Sequence, residues 1–241
     1  MSFRKASILF VLGLFAFISA CSSESTEEKI HGHLEEAVAQ EKGFEEQQSK
    51  ITELEQKEQE LYSQIIELGT DEMEKITELS QQAIDAVTQR EESLKAEKES
   101  LDAAKEEFQK TEDLIAEIED EQLKETAESM YSTMSDRFSA YDELYQAYET
   151  SIQQEKELYE MFQQEDTEQE ALTEHINTIN ESYQQVLDAN ETFNTNTTAY
   201  NELKKEYYSQ AGIEVQYEDA GSKGNQEGEQ SEEEQEENQS A

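Results

Sequence analysis

Few residues in this 241-residue chain have side chains that could do chemistry. There is one cysteine, Cys21, and three histidines, His31, His33 and His175. His31 and His33 are two positions apart, so on a helix they point to nearly opposite sides and cannot hold one ion from one face. His175 lies beside the apolar position Ile176 and reads as an exposed side chain. No serine sits in a G-x-S-x-G setting, and no S-x-x-K motif has its partner motif, so nucleophilic catalysis lacks its components. Acidic pairs such as Glu35-Glu36, Glu45-Glu46 and Glu91-Glu92 recur along the whole chain. Their abundance makes them a solvated surface rather than a glycosidase pair, which needs two carboxyl groups held across a cleft. A Glu-x-x-His pattern occurs at Glu28 and His31, but a carboxylate-bridged di-metal bundle needs two such patterns facing inward. The sequence implies no enzyme, no metal site and no cofactor; the acidic run from Glu232 to Glu237 could gather divalent cations weakly, without the spacing of a calcium loop.

Two sets of residues remain. The first is the stretch ending Phe17-Ile18-Ser19-Ala20-Cys21, which closes an apolar run beginning at Ala6 and preceded by Arg4 and Lys5. The run is too short for a spanning helix and has the layout of a secretory signal. An aliphatic residue, two small residues and then cysteine resembles the lipobox of bacterial lipoproteins, with Ile18 in place of the commoner leucine. The resemblance implies cleavage between Ala20 and Cys21 and a diacylglyceryl thioether on the Cys21 sulfur. Two acyl chains, at about 0.8 kcal/mol per buried methylene, anchor stably where one does not. The second set is tyrosine. Tyr131, Tyr141, Tyr145, Tyr148 and Tyr159 fall on one helical stripe and read as core. Tyr207, Tyr208 and Tyr217 lie near the last turn of the folded part and are the candidates for ligand contact by ring stacking.

Charge narrows the partners. Acidic residues number 60 against 18 lysines and arginines, for a formal charge of −42, which becomes −44 when Arg4 and Lys5 leave with residues 1 to 20. Nucleic-acid binding rests on phosphate neutralisation by lysine and arginine, so nucleic acid is excluded as a partner. Membrane contact must come from the lipid rather than from the surface. Low hydrophobicity with such charge would suggest disorder, unless the apolar residues fall in register.

They do fall in register. After a polar tether over residues 21 to 28, apolar positions run from Ile30 through Phe44, Ile51, Leu61 and Ile65 to Leu68 on one stripe, predicting a single helix. Gly69 suits a left-handed cap, and Asp71 with Glu74 has the spacing of a capping box for a second helix. That helix carries Met73, Val87, Leu94, Leu101, Phe108 and Ile115 on one seven-residue comb and Ile76, Ala83, Ala104 and Ile118 on another, the signature of supercoiled packing. Ser80, Arg90, Glu97 and Thr111 interrupt these combs. Residues 119 to 122 are all polar and either turn the chain or pass through a continuous helix with a stutter. The third helix has strict four-three alternation from Ala127 to Phe162, broken only at Glu155. Thr167 and Glu170 suggest a further capping box, opening a fourth helix that runs to a cap at Gly212. The stretch Asn194 to Thr198 predicts a local fray or bend.

Residues 213 to 219 alternate like an extended flap, and residues 220 to 241 are an acidic low-complexity tail that cannot bury enough surface to order itself. Short connections force antiparallel neighbours, so residues 29 to 212 predict an all-α, elongated antiparallel bundle or coiled coil of four long helices, or three if residues 119 to 122 do not turn. Roughly 40 residues per helix at 1.5 Å each make a rod of about 60 Å. With its lipobox-like end at Cys21, its Glu- and Gln-rich helical body, its tyrosine-bearing third and fourth segments and its acidic end, the chain resembles the YkyA-type cell-wall-binding lipoproteins of Gram-positive bacteria. The resemblance implies attachment to the outer face of the cytoplasmic membrane and contact with wall glycan. An accessory role on an envelope protein such as a wall hydrolase, through helix-groove contacts, is the competing expectation.

Overall fold

The computed structural model describes residues 24–215. Six helices follow one another: α1 (Thr26–Gln40), α2 (Lys42–Ile66), α3 (Met73–Gln109), α4 (Thr111–Ala116), α5 (Glu121–Phe162) and α6 (Gln169–Gln210), with a 3₁₀ turn at Thr70–Glu72 before α3. A single residue, Glu41, separates α1 from α2, and Lys110 alone separates α3 from α4. Six helices therefore make four arms, and the fold is the antiparallel helical bundle that the combs predict. The chain does turn at residues 117 to 120. Asp120 caps α5 by accepting the Leu123 N–H at 2.9 Å, and the Lys124 ammonium donates to the orphan carbonyl of Ala116 at 2.7 Å.

The second arm lies between the first and the third: α3 packs on α2 and α5, α1 packs on α3 and α4, and α6 packs along α5. Large side chains close the ring between the first and fourth arms, with Phe44 against Phe193 at 5.9 Å and His31 against Tyr208 at 5.1 Å between ring centroids. We call the end holding the start of α1 and the finish of α6 the base, and the end holding the α2–α3 and α5–α6 turns the tip. The 42 residues of α5 set its length at roughly 63 Å.

The core divides along this axis. Toward the base all four arms contribute, among them Ile30 and Leu34 of α1, Phe108 of α3, Phe138 of α5 and Tyr200 and Tyr207 of α6. Toward the tip the apolar cluster comes from α2, α3 and α5 only, through Ile51, Leu61, Ile76, Val87, Leu94 and Ile152. A smaller cluster built on Phe44, Leu101, Tyr141 and Phe193 joins them.

Local structure departs from the sequence expectations at five places, each with an identifiable cause. The first arm is not one helix. Ser100 of α3 puts its hydroxyl into the break, donating to the Gln40 carbonyl at 2.6 Å and accepting the Phe44 N–H at 2.9 Å, the two groups that an unbroken helix would join to each other. Gly43 permits the approach, since a Cβ there would lie 3.0 Å from the Ser100 hydroxyl. Second, α1 starts inside the stretch read as tether, because Ser25 and Glu28 form a reciprocal capping box. Third, Gly69 has φ −87° and is not a left-handed cap, and its N–H is satisfied by the Glu72 carboxylate instead. Asp71 and Glu74 form no box, because the 3₁₀ turn displaces the start of α3 to Met73. Fourth, Thr167 turns back to donate to the Met161 carbonyl at 2.9 Å, so α6 opens at Gln169 with no side-chain cap. Fifth, α6 runs unbroken through residues 194 to 198, held where Thr197 accepts from the Arg137 guanidinium of α5 at 2.9 Å. Gly212 does behave as expected. It has φ +68°, and the Ile213 N–H bonds the Tyr208 carbonyl at 2.9 Å while the Gly212 N–H reaches Ser209, a Schellman closure.

Candidate functional site

Ala20, Cys21 and Tyr217 fall outside the described residues, as do the signal-like segment, most of the expected flap and the acidic tail. Tyr207 and Tyr208 do not serve as exposed stacking rings. They are 0% and 2% accessible, packed into the base cluster with Ile30, Leu34 and the returning residues Ile213 and Val215. The Schellman closure is the reason, since it folds the chain after Gly212 back over the last turn of α6. The Tyr208 hydroxyl donates to Glu35 of α1 at 3.1 Å, which ties the last arm to the first.

The histidines are likewise absorbed into packing. His31 lies on Tyr208, and burial pushes its imidazole below the ordinary value, toward the neutral ring. The His33 Nδ1–H donates to Glu107 at 2.7 Å. His175 is half-buried rather than exposed, and its Nε2–H donates to the Gln154 carbonyl at 2.7 Å. Among the described residues no group of three or more histidine, cysteine or acidic side chains could hold a metal ion, and no helix is long and apolar enough to cross a membrane.

Three of the residues that interrupt the combs, Arg90, Glu97 and Glu155, sit in buried polar networks that join arms. Arg90 of α3 and Glu155 of α5, which break different stripes, meet as an ion pair, and Arg90 also holds Glu58 of α2 at 2.7 Å. Glu58 accepts from the Tyr159 hydroxyl at 3.1 Å, and Glu155 accepts from Tyr183 at 2.6 Å and Ser151 at 3.2 Å. Four arms thus converge on one guanidinium. Desolvation raises the Glu58 carboxyl above its ordinary range, opposed by the Arg90 charge. Arg137 makes a second buried pair, bidentate to Glu41 at 2.7 and 2.8 Å, with its guanidinium 4.7 Å from the centre of the Phe193 ring. Glu97 has no cation beside it; it accepts from Tyr141 at 2.8 Å and from the Gln48 amide at 2.6 Å, and burial raises its carboxyl to about 7. These groups fasten arms to each other. A shallow, open depression of about 560 Å³ is lined by Gln56, Gln59, Glu60, Ser63 and Gln64, all from the outer face of α2. A single convex helix face cannot enclose a reacting group.

The chain matches the YkyA family, described as "Putative cell-wall binding lipoprotein", over residues 25–210. It belongs to that family. It is 31% identical over 198 residues to the "Uncharacterized lipoprotein YkyA" of Bacillus subtilis (strain 168), an alignment that covers 82% of this chain and 89% of the relative. A crystal structure of a conserved protein of unknown function from Staphylococcus aureus superposes with a TM-score of 0.68 at 15% identity, covering 79% of this chain and 97% of that one. That likeness concerns the fold alone. The matched span of the family coincides with the described rod, from the capping serine of α1 to the last residue of α6.

One region escaped the sequence reading. At the tip, Tyr62 of α2 meets Phe162 of α5 with ring centroids 6.3 Å apart, and Ile66 is 58% exposed beside them. The signal was doubling: Leu61-Tyr62 and Ile65-Ile66 each put a second apolar residue beside the one on the stripe. The stripe of the first arm takes Leu61 and Ile65 and passes over Tyr62 and Ile66, whereas Phe162 already closes the stripe of the third.

Proposed function

We propose that this chain is a non-catalytic lipoprotein held on the outer face of the bacterial cytoplasmic membrane by a diacylglyceryl group on Cys21, where it acts as a wall-binding element or spacer between membrane and wall. The observation that carries the reading is the shared base. The first described residue, Glu24, is three positions from Cys21, and α6 finishes against α1 through the Tyr208–Glu35 hydrogen bond. An anchor at Cys21 therefore leaves the tip as the far end of the rod, about 60 Å away. Family membership supports the lipoprotein class, and the non-catalytic reading is in keeping with an interior whose two buried arginines are each paired with carboxylates.

Wall contact has to contend with a formal charge of −42, since teichoic polymers are anionic as well. Bridging by divalent cations is the route left to the carboxylates, and it makes the reading testable. Replacing Cys21 by alanine should move the protein out of the membrane fraction; unchanged detergent partition would overturn the anchor. Retention of the full chain on purified wall sacculi should be weak, should strengthen with magnesium or calcium and should vanish with a chelator. No retention under any ion condition would reject direct wall binding and favour the accessory reading, to which the exposed Ile66 at the tip lends support.

A further inference from the structure

Two large apolar side chains stand exposed among the described residues, Leu187 on α6 and Ile66 at the tip. Tyr62, Leu68, Met73 and Phe162 lie half-buried against the tip cluster, and Ile66, one helical turn along α2 from Tyr62, is exposed, in a chain whose mean hydropathy is −0.96. Around them stand Glu67, Asp71, Glu72, Glu165, Asp166 and Glu168, all exposed and none in an ion pair. Between Lys57 and Arg90 the only cation is Lys75, and between Lys156 and Lys204 there is none. The side-chain amide nitrogen of Gln163, next to Phe162, is buried with no acceptor among the described residues. At the base the same kind of apolar group is closed over by Ile213 and Val215.

An apolar centre within a polar rim is the anatomy of a protein interface, where an aromatic or aliphatic anchor carries the energy and rim charges select the partner and speed encounter. The sign of the rim selects cations. We infer that the tip docks a basic amphipathic segment of another protein, its apolar side chains seated on Tyr62, Ile66 and Phe162 and its lysines or arginines meeting the carboxylates of the two turns. The inference needs neither wall binding nor the lipid anchor, so its failure leaves the proposed function standing, and the reverse holds too.

The test uses the full chain in detergent and a lysine–leucine helical peptide carrying a photo-crosslinker, with an all-lysine peptide and a glutamate–leucine peptide as controls, in about 0.15 M salt where exposed charges beyond about 8 Å are screened. The lysine–leucine peptide should bind at least about tenfold tighter than either control and should crosslink within residues 60 to 75 and 160 to 170. Ile66→Ser, at a residue too exposed to affect folding, should weaken it, and adding Tyr62→Ser should bring the loss to about tenfold. Neutralising the rim by Asp71→Asn, Glu165→Gln and Asp166→Asn should slow association more than it speeds release. Crosslinks scattered along the rod, equal binding of the all-lysine peptide, or no change with Ile66→Ser and Tyr62→Ser would each overturn the inference, since each describes a polycation condensing on an acidic surface. Capture of soluble wall glycan at the tip without peptide binding would overturn it equally.

Discussion

The base half of the rod and the tip half use the same four arms and hold them with different balances of apolar and polar contact. In the base half side chains from all four arms fill one apolar cluster beside the buried Arg137–Glu41 pair, α1 opens on a reciprocal capping box, α6 closes on a Schellman motif, and the last described residues return as a cover. In the tip half the apolar cluster draws on only three arms, and α6 adds the buried Ile179, the His175 bond to the Gln154 carbonyl and Tyr183, which reaches the buried carboxylate of Glu155. The tip half gains specificity of register from polar contacts, because an arginine and two carboxylates tolerate no axial slip. It has little surplus apolar surface with which to compensate if they are lost, whereas truncation of one base residue leaves the other arms' contacts in place.

The largest expected effect follows from that difference. Arg90→Ala leaves Glu58 and Glu155 buried without their cation, and should cost about 3–5 kcal/mol in urea unfolding, the usual penalty for breaking a buried pair from one side. Replacing Arg90, Glu58 and Glu155 together by apolar residues of similar volume should recover most of the loss. If Arg90→Ala unfolds like the parent chain, the tip half is not held by its ion pairs and the contrast between the halves disappears.

Next in size is the pH dependence of Glu97, between the two halves. Its carboxyl is raised from an ordinary value of 4.5 to about 7, so the folded state binds this proton more tightly than the unfolded state. The resulting stabilisation is fully present below about pH 4.5 and is lost as pH rises through about 7. Glu97→Gln removes that dependence. Relative to the parent, the variant should gain on the order of 2–3 kcal/mol between pH 4.5 and pH 8, taking about 1.4 kcal/mol per pKa unit. A difference between parent and variant that does not change with pH would show that Glu97 is hydrated.

The helix break offers a finer comparison. Ser100→Ala should cost about 1–3 kcal/mol by leaving the Gln40 carbonyl and the Phe44 N–H unpaired. Gly43→Ala should destabilise the parent, where the new Cβ crowds the Ser100 hydroxyl, and should stabilise the Ser100→Ala chain by up to about 1 kcal/mol through helix propensity. A double-mutant cycle reads that change of sign as coupling. Additive effects would mean that the hydroxyl does not sit in the break.

The smallest effect contrasts the two terminal glycines. Gly212→Ala forces a side chain into a left-handed backbone and should cost about 1 kcal/mol, with loss of hydrogen-exchange protection at Ile213. Gly69→Ala at the tip has an ordinary φ and meets only the movable carboxylate of Asp71, so its cost should be smaller. Equal costs would remove the distinction between a sealed base and a loosely turned tip.

What the sequence determined by itself was everything that repeats. The three- and four-residue steps made the helices and the seven-residue combs made them pack in antiparallel arms, whereas the choice between four arms and three was left to the structure, where Asp120 caps α5 after a turn. Gly212 announced the end of the last arm. Periodicity is a local property, and each arm reports which of its own faces is buried without reference to any other arm. What it cannot report is the axial level at which one arm meets the next, and the tertiary structure decided everything that depends on that level. Arg90 and Glu155 read as defects in separate combs until the packing of α3 on α5 brings them to the same height. Ser100 carries no signal in the combs, and its role exists only where its helix passes the Gln40 carbonyl. Tyr207 and Tyr208 look free at the end of the sequence pattern and are buried because α6 finishes where α1 begins. Side chains that must satisfy a distant partner are fixed by register between arms, and register exists only once the arms are together.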